Sequence, residues 1–354
     1  MLKKKKTIIA LSIIPQFLIV KLLSNYPNFV ETYYSNGLYQ FTSKALRYAF
    51  GWAPFSVGDI LYTIAGLYII RWFYINSGRI TKDTKSWIID VFSAISIIYL
   101  AFHVFWGMNY YRLPLHKTVQ LENKYTTEEL ITVTQKLINK SNELHVFITK
   151  NDSIKVEILL SKKELLNETE NGYEALAKIY PHLKYNPSSI KLSLYSLPLT
   201  YMGFSGYLNP FTNEAQLDGL IPLYKYPTTA SHEVAHQIGY AAENEANFIG
   251  CLAAINNENI YFKYSGYIFA LRHCLNEIYR RDEKQYESII KLVNKGILKN
   301  YQESYDFWKN YQNPLEPIFK SAFNSFLKAN NQEKGIESYS YAVALFVNYF
   351  NDKL

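Results

Sequence analysis

Apolar positions along this chain follow two regimes. In the first third they form long runs, at residues 7–23, 55–74 and 87–108, each close to the ~20 residues a helix needs to cross a hydrocarbon core. From about residue 112, with Pro114 at the change, the runs shorten into the periods of an ordinary globular fold. The pattern predicts an α+β chain. Residues 1–111 should form a membrane region with three transmembrane helices, and 112–354 a mainly helical domain with a small sheet.

Within the second region, Thr126-Thr127-Glu128-Glu129 precedes LITVTQKLINK and reads as a capped amphipathic helix, since a Thr hydroxyl can accept from the early free amides and acidic residues suit the positive helix end. HVFITK and SIKVEIL, separated by Asn151-Asp152, predict a β-hairpin, although IKVEILL also fits a helix. Residues 189–196 alternate as a strand, and FSGYLN and EAQLDG flank a Pro-Phe-Thr-Asn turn. After 231 nearly everything predicts helix: 231–238, 243–256, 260–281, 284–296, 302–311, 315–329 and 336–350. There is no internal repeat.

Lysine and arginine give the membrane region a direction. Lys3 to Lys6 precede the first run, and Arg71, Arg79, Lys82 and Lys85 lie at or just after the end of the second, whereas the loop at 25–54 holds only Lys44 and Arg47. By the positive-inside rule the N-terminus and the loop at 75–86 are cytoplasmic, and the large C-terminal domain lies outside the cytoplasm. No small-x-small cleavage site follows the first run, so it reads as a retained anchor. Aromatic residues gather on the outer side, from Tyr33 to Trp52 and at Trp106, Tyr110 and Tyr111, as an interfacial belt. Asp59 and His103 sit near predicted span ends and read as interfacial caps.

The net charge of +7 arises partly from the tetralysine and otherwise from scattered residues. No basic stripe interleaved with aromatics appears, which argues against nucleic-acid binding. Cys251 and Cys274, the only cysteines, fall in apolar helical patterns and read as small buried hydrophobes.

The chemistry gathers in residues 231–247, SHEVAHQIGYAAENEAN. On a helix His232 and His236 project from one face and can bind one metal ion, Zn2+ by preference, while Glu233 stands beside the position left for water and can serve as catalytic base. A third protein ligand is needed. Glu245 lies nine residues after His236, about 13 Å further along an unbroken helix, so the chain must turn back, and Gly239 can end the helix for that purpose. Glu245 is the favoured third ligand and Glu243 its competitor. His103, His116, His145, His182 and His273 read as surface or satisfied core groups.

With HEVAHQIGY followed by Asn244-Glu245-Ala246, the segment resembles zincins of the gluzincin kind, in which a Glu on the next helix is the third ligand. That resemblance implies an Asp four residues after the Glu to orient a ligand His. Here Ile249 occupies the place, and Asn247 is the substitute at hand. It also implies an oxyanion donor, for which Tyr339 or Tyr341 is a candidate, and a strand beside the metal helix that pairs with extended substrate, for which EAQLDG at 214–219 is a candidate. The chain as a whole resembles the bacterial membrane family known as domain-of-unknown-function family 3810, through GWAPFSVGDILY, WGMNYYRLPL, YMGFSGYLNPFTNEAQLDG and HEVAHQIGYAAENEANF. The expectation is a peptidase of the bacterial inner membrane acting on an extracytoplasmic protein or peptide. The rival expectation is a non-catalytic receptor or assembly factor with a closed four-ligand structural zinc, completed by His273 or His182.

Overall fold

The structure is a computed structural model that describes residues 2–332 and 339–354. Helix α1 (Lys4–Leu23) leads through a π-helical stretch, Val30–Leu38, into α2 (Tyr39–Phe50). Helices α3 (Val57–Asn76) and α4 (Thr84–Phe105) complete the first region. Among the described residues two helices, α1 and α4, are long and apolar enough to cross a membrane. The third expected span, at 55–74, does form one continuous helix, α3, but it falls outside that pair. Its polar start has a structural purpose: Asp59 accepts from Ser193 Oγ (2.9 Å), Leu194 N (2.7 Å) and the Tyr207 hydroxyl. The Glu214 carboxylate accepts from Val57 N (3.1 Å) and Gly58 N (2.6 Å). An anion at a helix N-terminus satisfies free amides and the positive dipole end together. The polarity that weakens α3 as an apolar run therefore hooks it to the following domain.

Contacts along the helices fix their directions. Lys6 Nζ meets Asp90 Oδ1 at 2.6 Å, the Ser12 and Ser96 hydroxyls lie 3.1 Å apart, and Tyr34 donates to the Val104 carbonyl at 3.1 Å. α1 and α4 thus run parallel. α3 runs the other way, from the sheet at Asp59 to Trp72, whose ring lies 6.1 Å from that of Trp87, with Arg79 3.0 Å from Asp90 beyond it. The outer faces of all three carry exposed Ile, Leu and Phe side chains.

The domain opens with α5 (Thr127–Thr149), whose capping box is the expected one: Thr126 Oγ1 accepts from Glu129 N and Glu129 Oε2 from Thr126 N. The predicted hairpin does not form. Residues 145–149 continue α5, because Leu137, Ser141, Leu144 and His145 extend its buried stripe, and the Asn300 side chain pairs with both Val156 N and O in place of a partner strand. The next helix is α6 (Lys162–Ala177). A three-stranded sheet follows, β1 (Ile190–Leu192), β2 (Gly206–Asn209) and β3 (Glu214–Leu217), in the order β1-β3-β2, with β1 parallel and β2 antiparallel to β3. The turn at 210–213 is as expected, held by Asn209 Oδ1 accepting from Phe211 N at 3.0 Å.

Helices then dominate: α7 (Tyr226–Gln237), α8 (Glu243–Asn256), α9 (Ile260–Arg281), α10 (Lys295–Asn310), α11 (Glu316–Ala329) and α12 (Tyr339–Lys353). The expected helix at 284–296 is instead a shorter one, Glu283–Ile289. Gly296 falls inside the first turn of α10, where a Cβ would lie 2.2 Å from His145 Nε2. It marks a close approach rather than a break. Both cysteines are free and buried.

Replacing Asp59 with Ala strands three donors and should destabilise the fold by about 3 kcal/mol. Thermal unfolding of the detergent-solubilised protein checks this: the midpoint should drop by several degrees, and an unchanged midpoint would show that the hook is dispensable.

Candidate metal centre

Pro227 sits in the first turn of α7, where its missing N–H costs nothing. Four residues apart on one face, the His232 and His236 rings lie 4.7 Å between centroids, and the ligand-type atoms of His232, Glu233 and His236 all fall within 4.8 Å of one another. The helix ends at Gln237, and Gly239 takes φ +98°, with Tyr240 N returning to Ala235 O at 3.0 Å. That is the reversal the sequence requires. A Cβ at Gly239 would also press within 3.0 Å of the Tyr39 ring.

Helix α8 returns against α7 and touches it at Gly250, where a Cβ would stand 2.6 Å from His232 N. Residues three and seven positions earlier share that helical face, and they are Asn247 and Glu243. Glu243 Oε2 lies 3.3 Å from His232 Nε2, and Oε1 lies 3.7 Å from His236 Nε2. Asn247 lines the same cavity as His232 and helps to raise its pKa. Glu245, the favoured ligand from sequence, is two residues and about 200° further round. It points away, accepting from Leu115 N at 2.6 Å. The structure thus brings Glu243, and not the expected Glu245, to the histidines. Counted from Glu243, the fourth residue on is Asn247, so the orienting position implied by the zincin resemblance is filled by an amide.

The electrostatics separate the roles of these groups. His236 Nδ1 lies 2.7 Å from the Tyr240 carbonyl, which can only accept, so the ring proton sits on Nδ1 and the Nε2 lone pair faces the centre. Burial pushes its pKa down to about 4, which keeps the ring neutral. For His232 burial opposes the charge, but the Glu243 hydrogen bond and the Glu233 charge outweigh it and the pKa rises. Burial raises Glu233 to about 8, against the pull of His232. Its Oε2 is buried with no hydrogen-bond partner among the described residues. Burial also lifts Glu245, to about 7.

Sequence reasoning missed the groups that hold this loop. Tyr39 donates to Gln237 O (2.8 Å), Arg47 to the same oxygen (3.2 Å) and Trp106 Nε1 to His236 O (3.2 Å). Arg112, buried against Glu31 at 2.6 Å, donates to Gly239 O at 2.8 Å and lies 4.0 Å over the Tyr240 ring. The signal was present in WGMNYYR, where a Trp and an Arg stand at the end of an apolar run. Among the other histidines, His145 bonds Ile154 O at 2.8 Å, His103 bonds Tyr99 O at 2.9 Å, and His116 pairs with the Tyr341 hydroxyl. Tyr341 is thereby engaged away from the histidine pair, and the Tyr339 side chain lies outside the described residues. His182 is exposed beside Tyr180, and His273 packs against Phe269 and Phe346.

A cavity of about 1040 Å³ reaches the centre, with His232, Glu233, His236 and Glu243 in its wall. Strand β3, the expected substrate-facing edge, is the middle strand of the sheet, paired on both sides. The strand that lines the cavity is β2, through Gly206, Tyr207 and Leu208. A Cβ at Gly206 would fall 2.7 Å from Glu233 Oε1 and 2.7 Å from Gln216 O, so only Gly lets the carboxylate rest against the strand.

The chain belongs to the family described as Protein of unknown function (DUF3810), whose sequence model matches residues 34–347. No curated protein and no solved structure matches the chain.

Gly250→Ala should force α7 and α8 apart and cost about 2 kcal/mol. Gly66→Ala, in α3 with nothing within 4 Å of the added Cβ, should be neutral or slightly stabilising. Thermal midpoints of the two variants, compared side by side, check the close approach; equal midpoints would contradict it.

Proposed function

We propose that the chain is a membrane-anchored zinc metallopeptidase, with zinc held by His232, His236 and Glu243 and with Glu233 as catalytic base. The observation that carries the reading is the meeting of a second-helix carboxylate with both imidazoles beside a buried Glu oxygen that has no hydrogen-bond partner among the described residues. Two imidazole nitrogens and one carboxylate, open on a cavity, suit a catalytic zinc. When bound, zinc lowers the pKa of its water and polarises the scissile carbonyl. Glu233 stands where it can take a proton from the attacking water and pass it to the leaving amine. Gly206 keeps that carboxylate in place, and Tyr240 and Asn247 orient the two rings. Strand β2 offers the backbone edge along which an extended peptide can lie.

Membrane placement follows from helix direction. Parallel α1 and α4 require the chain to return between them, and α3 runs back along their length, which supports three spans. Lys4 to Lys6 share the end opposite the metal centre with Arg79, Lys82 and Lys85, so the positive-inside rule favours a centre on the extracytoplasmic side of a bacterial inner membrane. The rival reading, a receptor or assembly factor with a structural zinc, needs a closed set of ligands. His273 lines the same cavity and could join such a set, but the cavity favours an open position. His182, exposed on the surface, has no place in it.

The purified protein should carry one zinc. Glu243→Ala should lose it, whereas Glu245→Ala should keep it, as measured by metal analysis. Glu233→Gln should retain zinc and lose peptide cleavage, and Gly206→Ala should retain zinc and cut cleavage about 100-fold by displacing the base. Undiminished cleavage by Glu233→Gln would refute the assignment of the base.

A further inference from the structure

The cavity that reaches the metal centre does not open only toward the domain. Its wall includes Tyr62 of α3 and Ile98 and Phe102 of α4. Ile98 lies seven residues before the end of α4 at Phe105, about 10 Å down the helix, and is 53% exposed on a lipid-type surface. Above it, Trp106 lines the cavity and donates to the His236 carbonyl. One continuous space therefore joins the flank of an apolar helix to the histidine pair.

The opposite wall is α11. Leu327 is its only buried residue, and Leu315, Ile318 and Phe319 are exposed. The Phe326 ring lies 6.0 Å from that of Phe102 and 6.0 Å from that of Tyr110. This amphipathic helix thus rests on the end of α4 and continues its apolar surface, as a helix lying in a membrane interface does. The chemistry of the lining changes with height. Apart from tyrosines, its ionisable groups come from the domain around the histidines and from Lys320 of α11, which pairs with Glu316, whereas the part contributed by α3 and α4 is aromatic and aliphatic.

A water-soluble peptide has no need of a wall set among span residues, whereas an amphiphilic one does. Building on the peptidase reading, we infer that the substrate is a membrane-tethered polypeptide, which reaches the cavity along the flank of α4 with its apolar anchor against Ile98 and Phe102. The stretch just outside that anchor then lies along β2 with its scissile bond at the metal. Tyr62 reinforces this path, since its ring stacks 6.5 Å from that of Tyr207 on the same strand.

The test uses the full chain in phospholipid vesicles and one peptide library made in two forms, N-palmitoylated and N-acetylated. Cleavage is followed by mass spectrometry. Binding is followed separately in a zinc-loaded Glu233→Gln chain carrying a photo-crosslinking amino acid at position 98. The palmitoylated form should be cleaved at least about tenfold faster, as a bilayer-raised local concentration allows, and should crosslink at position 98 where the acetylated form does not. Ile98→Trp should bring the ratio of the two rates close to one. Equal rates for the two forms, or a preference that survives Ile98→Trp without a crosslink, would overturn the inference while leaving the peptidase standing. Crosslinking without cleavage of either form would uphold the docking path and count against the peptidase. Neither crosslink nor cleavage would overturn the path itself.

Discussion

The last carbonyls of a helix have no partners within the helix, and the carbonyls at the end of α7 and in the turn after it are met by side chains from far earlier in the chain. His236 O, Gln237 O and Gly239 O receive Trp106, Tyr39 with Arg47, and Arg112 in turn. All four donors come from the first 112 residues. His236 O keeps the Gly239 amide as a second partner, but burying the Gln237 and Gly239 oxygens without their donors would cost about 1–3 kcal/mol each. The geometry of the histidine pair thus depends on the region that precedes the domain. The same loop supplies the Tyr240 oxygen that sets the His236 tautomer, so the donors that stop the helix also aim His236 Nε2.

This dependence explains why composition and contacts divide the chain differently. Apolar runs end near residue 111 and globular periods begin after it, yet Arg112 and Glu31 form a buried pair across that line, and Glu214 caps a helix that starts at Val57. A buried ion pair gains little net stability over a well-packed apolar one. Here Arg112 spends its third direction on Gly239, so its worth lies in fixing the position of a loop.

Features whose causes are local were legible in the sequence. The bounds of α8 and α9, the capping box at Thr126, the hairpin turn at 210–213 and the reversal at Gly239 each follow from residues within a few positions. Features that depend on which face meets which partner were not. The sequence favoured Glu245 over Glu243, and only the contact of Gly250 with the His232 backbone shows which face of α8 looks at α7. The middle place of β3 follows from a parallel pairing with β1, some two dozen residues earlier. The residues at 145–149 alternate well enough for a strand, but a helix already under way with a buried stripe absorbs them.

Asp59 and Tyr207 tie the first turn of α3 to strand β2, which touches Glu233 through Gly206. If α3 crosses a bilayer, its tilt follows the local hydrocarbon thickness. A change of tilt then bears on the strand and on the carboxylate resting against it. The hook that secures the helix would in that way make the spacing between Glu233 and the histidine pair sensitive to the thickness of the surrounding lipid, so that the membrane would act as a mechanical part of the site as well as its support.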